Sequence, residues 1–473
     1  MAIRNARWLI VAGACLAVTV AGAPVAVADD EVPGVGHGFH AGTVPLTTVY
    51  NGELYELKDT TRGDMKGFRN KRNSSGGVDR VLYTDQDNDW GTGTQGDPAT
   101  DPVTAAVDAQ YAAAKAWDYF ANVHGRQGIA GDGQGIELHG LDNGVAGAGL
   151  PSYAPPRPDL NRPAWIYYGS RFNMFAQDGK ARQVNPATLD QVGAAFAEGV
   201  ASSAAGLPRS TGGDGQYHEL AEPYAIGQTT AKIFGTMIEF YANNRTDRPD
   251  YLIGERLGAG FPQGTFLAPV SMANPLAGCY GMGVPDNSNP GIHFFYLLAV
   301  GSNPAQGDSS PTCNNMSVTG IGNDKAAKIW YRALTEYFTD KTNYATARIG
   351  TLKAAADLYG AHGLEYNTVN AAWSAVSVTG ASPIPGGKTP YPVNPGDQET
   401  AVRTAASLQI EVTNPGGRTL TYSAGGLPPG LTIDPASGLI SGTPTKTGNY
   451  RVSIGVTDTL HAQGSTWFMW YVT

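Results

Sequence analysis

One short segment of the chain carries a pattern that could bind a metal. His218-Glu219-Leu220-Ala221-Glu222 matches the first half of H-E-x-x-H, in which two histidines on one helical face bind zinc and the glutamate activates water. Glu222 stands where the second histidine is needed, Pro223 follows it, and a glycine-rich loop precedes the segment. We therefore interpret it as an ordinary surface loop and look elsewhere for a site.

The composition limits the partners of the chain. Its 473 residues carry a net charge of -9, and the isoelectric point is near 5.4. Nucleic-acid binding needs a basic surface, so we exclude that function class. The 62 glycines and 31 prolines predict many loops and turns and argue against a helical bundle.

The first 28 residues predict the compartment. Arg4 and Arg7 precede an apolar run from Trp8 to Val20, and Ala26-Val27-Ala28 is a small-x-small cleavage signal. We interpret residues 1–28 as a secretory signal peptide and expect a secreted, extracellular protein. The apolar run is short for a membrane anchor, and no other segment is long enough to span a bilayer.

Cysteine usage is consistent with export. Cys15 leaves with the predicted signal peptide, so Cys279 and Cys313 remain. An even number of cysteines in an exported protein predicts one disulfide, and a free pair is the alternative.

The elements that must position any site fall into two halves. Residues 31–100 are rich in Gly, Thr, Asn and Asp and contain short β-type runs at Thr43–Tyr50 and Val78–Tyr83. Apolar residues recur at helical spacing from Asp101 to Val123, which predicts an amphipathic helix. After Pro186 the pattern predicts helices at 187–205, 224–243, 290–301, 322–338, 343–358 and 366–376. A β-rich half followed by a helical half is typical of an α+β fold.

A smaller all-β unit follows. Residues 379–395 are rich in Pro and Gly and predict an extended linker. Residues 396–473 predict a small β-sandwich, with short alternating strands at Val402–Val412, Thr419–Ala424, Gly438–Gly442 and Tyr450–Val456. In a regular strand Trp467 and Tyr471 share one face and Trp470 points to the other. One set is expected in the core, and the other is either ordinary surface or an aromatic binding platform.

Four segments of the body, in order, carry a family resemblance. They are NVHGR at Asn122–Arg126, IFGTMIEFYAN at Ile233–Asn243, VTGIGNDKAAKIWYRALTEYF at Val318–Phe338 and AAADLYG at Ala354–Gly360. Together they resemble the thermolysin-like (neutral zinc) metallopeptidases over most of residues 29–378. The resemblance implies a β-rich amino-terminal lobe at 29–187, a helical carboxy-terminal lobe at 188–378, and a cleft between them.

The resemblance also locates the zinc site of that family. A V-G-H-E-x-x-H-A run on one helix supplies two zinc ligands and the general base, and the third ligand is a glutamate on the next helix. The matching positions, in the segment LDQVGAAFAEGVASSAAGL, are Ala194, Ala195 and Glu198, and the third ligand falls on Gln228. Lys232 stands where an aspartate would orient a ligand histidine. Alanine has no lone pair for a metal and no carboxylate for a proton, and lysine repels a dication.

Other catalytic positions of the family differ here as well. The tyrosine that hydrogen-bonds the tetrahedral intermediate falls near Arg209, and the arginine that binds the substrate backbone falls on Val270. The transition-state histidine is retained as His293 in DNSNPGIH. A histidine kept for packing at a helix start is the alternative interpretation of His293.

Structural calcium is a further implication of the resemblance. The main family site matches Asp190, Glu239, Asp250 and Glu255, and one further carboxylate is replaced by Leu252. A second site matches the alternating acids Asp85, Asp87 and Asp89. Calcium takes six to eight oxygens, which these carboxylates could supply together with carbonyls and water. Solvated acidic loops are the alternative.

The last segment resembles a different family. LPPGL at 427–431 and GLISGTP at 438–444 resemble the immunoglobulin-like, cadherin-type modules of secreted bacterial proteins. Pro and Gly set turns between strands, and Leu431, Ile433 and Ile440 would fill the sandwich.

Three functional hypotheses follow. The first is a secreted pseudopeptidase that binds a protein, peptide or cell-surface polymer, with structural calcium and without catalytic zinc. The second is an active metalloendopeptidase with a site rebuilt from His293, Glu198 and Gln228. The third is a cell-wall or polysaccharide adhesin in which the β-sandwich binds and the body is a spacer.

Overall fold

The computed structural model of the chain describes residues 30–94, 101–141, 150–160, 162–169, 172–175, 181–209, 221–258, 269–282, 287–380, 383–384 and 386–473. The predicted signal peptide and the His218-Glu219 dipeptide lie outside these residues. Within the described ranges, no helix is both long and apolar enough to cross a bilayer.

The amino-terminal lobe consists of short strands around one long helix. In chain order its elements are β1 (Asp30–Gly38), β2 (Gly42–Tyr50), β3 (Tyr55–Glu56), β4 (Lys58–Asp59), β5 (Met65–Arg72), β6 (Val78–Leu82), β7 (Thr84–Asp85), β8 (Asp89–Trp90), α1 (Pro102–His124), β9 (Glu137–Leu141), β10 (Ser152–Ala154), β11 (Trp165–Gly169), β12 (Phe172–Phe175) and β13 (Ala181–Val184).

Two sheets of this lobe pack against α1. One has the order β7-β3-β2-β1-β8, and the other has the order β10-β11-β9-β5-β4, with β6 paired to β5. Asp101 caps the start of α1 by accepting a hydrogen bond from the Thr104 backbone N–H, and Gly125 ends the helix with a positive φ of 69°. The apolar face of α1 contacts β1 of the first sheet and β9 of the second, which joins the two sheets into one core.

The helical lobe follows the periodicity of the sequence closely. Its elements are α2 (Leu189–Ala205), α3 (Ala221–Ala242), β14 (Leu252–Ile253), α4 (Glu255–Gly258), β15 (Val270–Ser271), α5 (Asn289–Ala299), α6 (Asn323–Glu336), α7 (Tyr344–Tyr359) and α8 (Leu364–Ala375). The seven predicted helices of the body all form, and the short helix α4 is an addition that the pattern did not predict.

Helices α2 and α3 approach each other unusually closely. A Cβ atom on Gly235 of α3 would lie 2.6 Å from the Asp190 carbonyl oxygen and 3.1 Å from the Ala194 Cβ atom of α2. A larger residue at 235 would therefore push the helices apart. The rings of Phe120, Phe196 and Phe234 pack together beside this contact and tie both helices to α1.

The carboxy-terminal unit is a two-sheet β structure. Its strands are β16 (Tyr391–Pro392), β17 (Gln398–Thr400), β18 (Ala406–Gln409), β19 (Val412–Thr413), β20 (Leu420–Gly425), β21 (Leu431–Ile433), β22 (Leu439–Gly442), β23 (Gly448–Asp458) and β24 (Gln463–Val472). One sheet has the order β17-β24-β23-β20, and the other has the order β18-β22-β21. Because β16 pairs with β19, residues 391–392 of the predicted linker belong to this unit.

Side chains on β24 alternate as the sequence predicts. Trp470 is 2% exposed and packs in a core with Ile440, whereas Trp467 is 52% exposed. The Arg451 guanidinium lies 4.5 Å from the centroid of the Trp467 ring. The outward ring is thus already in contact with a cation of its own sheet, which favours ordinary surface over a vacant aromatic platform.

Polar contacts join the β-sandwich to the body. The Asn367 side chain of α8 donates a 2.7 Å hydrogen bond to the Leu460 carbonyl oxygen, and the Thr368 hydroxyl lies 2.7 Å from Nδ1 of His461. The Gln463 side chain donates a 2.7 Å hydrogen bond to the Ser317 carbonyl oxygen. The sandwich is therefore docked on α8.

The predicted disulfide forms between Cys279 and Cys313, whose Cα atoms are 6.0 Å apart. The two segments flank α5 in the sequence. The Cys313 backbone N–H donates to the Ala375 carbonyl oxygen, and the neighbouring Tyr280 N–H donates to the Val376 carbonyl oxygen. The disulfide joins the two segments to each other, and these hydrogen bonds hold both of them against the end of α8.

Removal of this bridge should destabilise the folded chain without abolishing its fold. The disulfide closes a loop with a sequence separation of 34. In the chain-entropy description, this lowers the conformational entropy of the unfolded chain and stabilises the folded state by about 4 kcal/mol. We expect Cys279→Ala with Cys313→Ala to lower the free energy of unfolding by up to this amount in urea titrations. Wild type measured under reducing conditions is the matched control. An unchanged midpoint in both samples would mean that packing alone holds these segments.

Candidate functional site

Helices α2 and α3 bring the predicted zinc positions together. Glu198 is 4% exposed, and its Oε1 atom accepts a 3.0 Å hydrogen bond from Nε2 of Gln228. This contact agrees with the sequence match, which placed two ligand positions of one site on these residues. The side-chain amide of Gln228 thus donates a proton to the carboxylate of Glu198, whereas a metal ligand at position 228 would direct a lone pair at the ion.

The two alanines offer nothing to a metal. Ala195 is 3% exposed, and Ala194 is half-buried against Gly235. Among the described residues, one group of three or more His, Cys, Asp or Glu side chains has its ligand atoms within 4.8 Å of one another, and Glu198 is not part of it. The described part of the cleft therefore presents one carboxylate and one amide, which is not a zinc set.

Lys232 lies one helical turn beyond Gln228. Its Nζ atom donates a 2.9 Å hydrogen bond to the Ser288 hydroxyl, and no carboxylate of the described residues is within ion-pair distance. Burial lowers the pKa of Lys232 to about 8 because the protein interior disfavours the ammonium ion. A buried positive charge therefore stands beside the position where the family binds a dication.

A neutral side chain at 232 should raise stability. The ammonium has one hydrogen bond and no counter-ion, so Lys232→Met should increase the free energy of unfolding by about 1 kcal/mol. The folded pKa of about 8 lies below the ordinary 10.5, so wild type itself gains stability between these pH values. The gain from Lys232→Met should accordingly be largest below pH 8 and fade above it. Thermal unfolding over this pH range tests this, with Lys328→Met, on the exposed side of α6, as the control. A pH-independent difference would contradict it.

His293 is enclosed within the helical lobe. It is 3% exposed, its Nδ1 atom lies 3.2 Å from the Gly278 carbonyl oxygen, and its Nε2 atom lies 2.9 Å from the Ser310 hydroxyl. Burial lowers the pKa of its imidazole, which favours the neutral ring. Since both ring nitrogens have protein partners and the ring has almost no solvent access, this geometry favours the packing role over contact with a substrate.

A strand edge lies next to α2. Strand β10 is the last strand of its sheet among the described residues and pairs with β11. Its Tyr153 is so close to α2 that a Cβ atom on Gly199 would lie 2.8 Å from the Tyr153 ring. The Arg209 guanidinium lies 5.9 Å from the centroid of that ring. Burial raises the pKa of Tyr153, the positive charge of Arg209 lowers it, and the negative charge of Glu198 raises it. Tyr153, Arg209 and Glu198 are therefore close enough to interact electrostatically. Sequence reasoning missed Tyr153 because the β-rich lobe gave no clear register.

Val270 lies away from this strand edge. It is half-buried in β15, where it pairs with Ile253 of β14. An aliphatic side chain at this position cannot donate a hydrogen bond to a peptide carbonyl, so substrate-backbone binding by this residue is excluded.

A second cluster, formed by Glu239, Asp247 and Glu255, can hold a cation. One carboxylate oxygen from each lies within 4.8 Å of the others. Both oxygens of Glu239 and Oε2 of Glu255 are buried and have no hydrogen-bond partner among the residues that the structure describes. Orphaned buried carboxylate oxygens are costly, and oxygen-only donors of this kind suit calcium. These residues therefore fit the calcium that the family resemblance implies.

The pKa values of this cluster indicate that its carboxylates are not balanced by neighbouring positive charge. Burial, with a contribution from neighbouring acids that include Asp190, raises the pKa of Glu239 to about 11. The same causes raise the pKa of Glu255 to about 8 and that of Asp247 to about 7. Arg256 is the nearest cation, 3.6 Å from Asp247, and a single guanidinium does not balance this many carboxylates. A divalent ion would lower all three pKa values.

Asp247 is an acid of this cluster that the sequence match did not select. Asp250, which the match did select, accepts a 2.7 Å hydrogen bond from the Leu252 backbone N–H and lies close enough to raise the pKa of Glu239. Asp190 also raises that pKa, and its Oδ2 atom accepts from the Gly254 N–H at 2.7 Å. Calcium binding by Asp190 and Asp250 stays a prediction.

The acidic loop at Asp85, Asp87 and Asp89 is arranged differently. Asp85 accepts hydrogen bonds from the backbone N–H groups of Asp87 and Asn88, which caps the turn. Asp89 pairs with His37 at 2.8 Å. The three acids are not among the grouped ligands in the described part of the chain. This geometry favours a self-capped loop, and calcium binding there stays a prediction.

Comparisons with known families agree with this architecture. A model described as "Thermolysin metallopeptidase, catalytic domain" matches residues 33–140, and one described as "Thermolysin metallopeptidase, alpha-helical domain" matches residues 217–378. A model described as "Putative Ig domain" matches residues 388–473. Together the two metallopeptidase models span both lobes of the body.

Individual relatives belong to the same family. The transglutaminase-activating metalloprotease of Streptomyces mobaraensis is 38% identical over 458 residues, which is 93% of this chain and 54% of that protein. The bacillolysin of Bacillus cereus is 31% identical over 362 residues, which is 73% of this chain and 55% of that protein. The chain thus spans about half the length of the curated relatives it matches.

Solved structures add little to this assignment. The precursor of protealysin from Serratia proteamaculans is 17% identical, with a TM-score of 0.40 over 67% of this chain and 87% of that one, which is too low to carry an argument. The family models and relatives are sufficient: the chain belongs to the thermolysin metallopeptidase family and carries an immunoglobulin-like domain after its peptidase-like body.

Proposed function

We propose that the chain is a secreted pseudopeptidase of this family, which binds an unfolded protein or peptide in its cleft without cleaving it. The observation that carries the proposal is the state of the α2–α3 pair. Ala194 and Ala195 have no ligating or basic atom, and Glu198 is bonded to Gln228. Hydrolysis in this family's manner needs a metal-bound water and a base, and these residues supply neither.

The buried ammonium of Lys232 supports the same conclusion. A cation next to the position of a catalytic dication raises the free energy of metal binding through charge repulsion. A zinc site could tolerate the replacement of one ligand. Here the ligand positions, the base position and the neighbouring charge all differ from the family pattern, and each difference weakens metal binding further. We therefore infer that zinc is not a cofactor of this chain.

The cleft retains features that suit binding of an extended chain. Among the described residues, strand β10 is the last strand of its sheet and lies beside α2, and a sheet edge of this kind accepts a peptide as an additional strand through backbone hydrogen bonds. The half-buried Ala194 adds little bulk on the side of α2. Sequence-tolerant binding of unfolded protein is the activity that this combination supports.

Calcium has a structural part in this proposal. Glu239, Asp247 and Glu255 lie on α3, after it and on α4, so an ion held by them would fix these segments against each other. When bound, calcium supplies the positive charge that this cluster lacks. The scaffold of the cleft is thereby maintained independently of zinc.

Two other functions compete with this one. An active peptidase is favoured by the similarity to metalloproteases, one of which is named for activating transglutaminase. An adhesin that binds through the β-sandwich is favoured by the exposure of Trp467. The first predicts proteolysis, and the second predicts that binding depends on the sandwich rather than on the cleft.

Binding of fluorescently labelled casein, measured by anisotropy, tests the proposal. Arg209→Glu reverses the charge of a half-buried group beside Tyr153 of β10 and should reduce affinity about tenfold, while Arg403→Glu, at an exposed position of the sandwich, should have no effect. Trp467→Ser should also have no effect. Casein that is cleaved, or bound equally well by the Arg209→Glu protein, would contradict the proposal, and loss of binding in Trp467→Ser would favour the adhesin.

A further inference from the structure

A cavity of about 380 Å³ lies where the β-sandwich meets the body. One wall comes from the turn before α8, with His362 and Asn367, and another comes from the sandwich, with Arg418 and Leu460. Residues 386–389, which include Lys388, close the third side. The cavity has the size of a small-molecule site and is complete only when the two units are docked.

Two cationic side chains, Arg418 and Lys388, and no acidic one are among the described residues that line this cavity. Asp458, the nearby carboxylate, is fully buried and accepts hydrogen bonds from Arg418 and from the backbone N–H groups of Leu460 and Ala462. Only Nη1 of Arg418 is used in this way, and its remaining nitrogens have no acceptor among the described residues. Lys388 is exposed and has no acidic partner within the same ranges.

Because Asp458 balances one of the two cations, the site carries about one net positive charge, located on Lys388. A guanidinium that presents free N–H groups next to a flexible ammonium is the combination that recognises phosphate oxygens. The cavity is larger than a phosphate ion, so it has room for a group attached to the phosphate. Asn367 holds the walls together by donating to the carbonyl oxygens of His362 and Leu460, at 3.0 and 2.7 Å.

We propose that this junction cavity binds a phosphate group carried on a polyol or sugar, either free or as the repeating unit of a phosphate-bearing polymer. Arg418 and Lys388 contact the phosphate oxygens, and Asn367 is a positioning residue that keeps the cavity closed. Because the walls belong to two units, the ligand also fixes the sandwich on the body. This site is separate from the cleft and does not depend on the function proposed for it.

Binding of glycerol 3-phosphate to the full chain, by calorimetry at constant ionic strength, is the test. We expect saturable binding and a rise in melting temperature that sodium chloride does not reproduce. Lys388→Ala should weaken binding on the order of tenfold, since it removes one charged hydrogen-bond donor. Lys446→Ala, an exposed lysine elsewhere on the sandwich, is the matched control and should bind as wild type does.

Two further samples complete the test. Lys388→Arg should retain most of the affinity, and Asn367→Ala should reduce it although Asn367 is not expected to touch the phosphate. Poly(glycerol phosphate) identifies the source: tighter binding per phosphate than glycerol 3-phosphate indicates the polymer, and equal binding indicates the free compound. Equal affinity of wild type and Lys388→Ala, or no binding of either probe, would overturn the proposal.

Discussion

Purified protein loaded with calcium is expected to leave casein intact, with and without a zinc chelator. Family members activate water with a metal held by histidines and with a glutamate base, and the corresponding positions here are Ala194, Glu198 and Ala195. Loss of such a centre costs many orders of magnitude in rate, because neither a metal hydroxide nor a general base remains. This is the largest functional effect that the sequence and structure predict.

The measurement combines activity with metal content. After dialysis against zinc, elemental analysis should give far less than one zinc per chain for wild type. The combined change Ala194→His, Ala195→Glu, Glu198→His and Gln228→Glu should restore zinc binding. It should not restore full activity, because Lys232 would still repel the metal and Val270 cannot bind a substrate carbonyl. Chelator-sensitive proteolysis by the wild-type protein, at one zinc per chain, would disprove this account.

In calcium-free protein, the contribution of the acidic cluster to stability is expected to fall as the pH rises from about 4 to about 8. In the folded state the pKa values of Asp247 and Glu255 are raised to about 7 and 8, from ordinary values of 3.8 and 4.5. Between those values the folded state holds protons that the unfolded chain has released, so raising the pH favours unfolding. Glu239, with a pKa raised to about 11, extends the same trend to higher pH.

Calcium should remove this pH dependence and raise the melting temperature. A ligand that binds only the folded state stabilises it by about 3 kcal/mol at a hundredfold excess over its dissociation constant. Glu239→Gln should stabilise the calcium-free protein near neutral pH, because folding then no longer requires this carboxyl group to take up a proton, and should abolish most of the response to calcium. Calorimetric scans between pH 4 and 8 measure both effects.

Glu336→Gln, at a half-exposed surface position in α6, is the control for this series and should respond to calcium as wild type does. Asp190→Ala with Glu255→Ala should abolish the response to calcium. If calcium in the millimolar range shifts the melting temperature of neither wild type nor variants, the cluster is only a set of buried, protonated acids. A stability difference between wild type and Glu239→Gln that is the same at pH 4 and pH 8 without calcium would contradict the charge argument directly.

Helices were predictable from the sequence to a degree that strands were not. Seven helical stretches, each several turns long, form close to the predicted bounds, and even α5, which is buried on all sides, is long enough to be distinguished from a strand. The two-residue strands of the amino-terminal lobe, such as Tyr55–Glu56 and Lys58–Asp59, are too short for any alternation to register. Their pairing depends on contacts between residues distant in sequence.

The site was predictable in its residue types but not in its contacts. Family spacing brought Glu198 and Gln228 together, and the hydrogen bond between them is observed. The partner of Lys232 is Ser288, which no local pattern indicates. Asp247 was not predicted because the family match selected Asp250, three residues later, and only the folded backbone brings Asp247 next to Glu239 and Glu255. His293 was assigned from its neighbours in sequence, which carry no information about its burial.

The close contact between Gly235 and α2 has a consequence for which positions of the site can change freely. The two helices are held together by this backbone proximity, in which Ala194 takes part, and by aromatic packing around Phe196 and Phe234. Neither contact involves residues 198 and 228, so their chemistry can change without altering the packing of the pair. A large side chain at 194, in contrast, would press against α3.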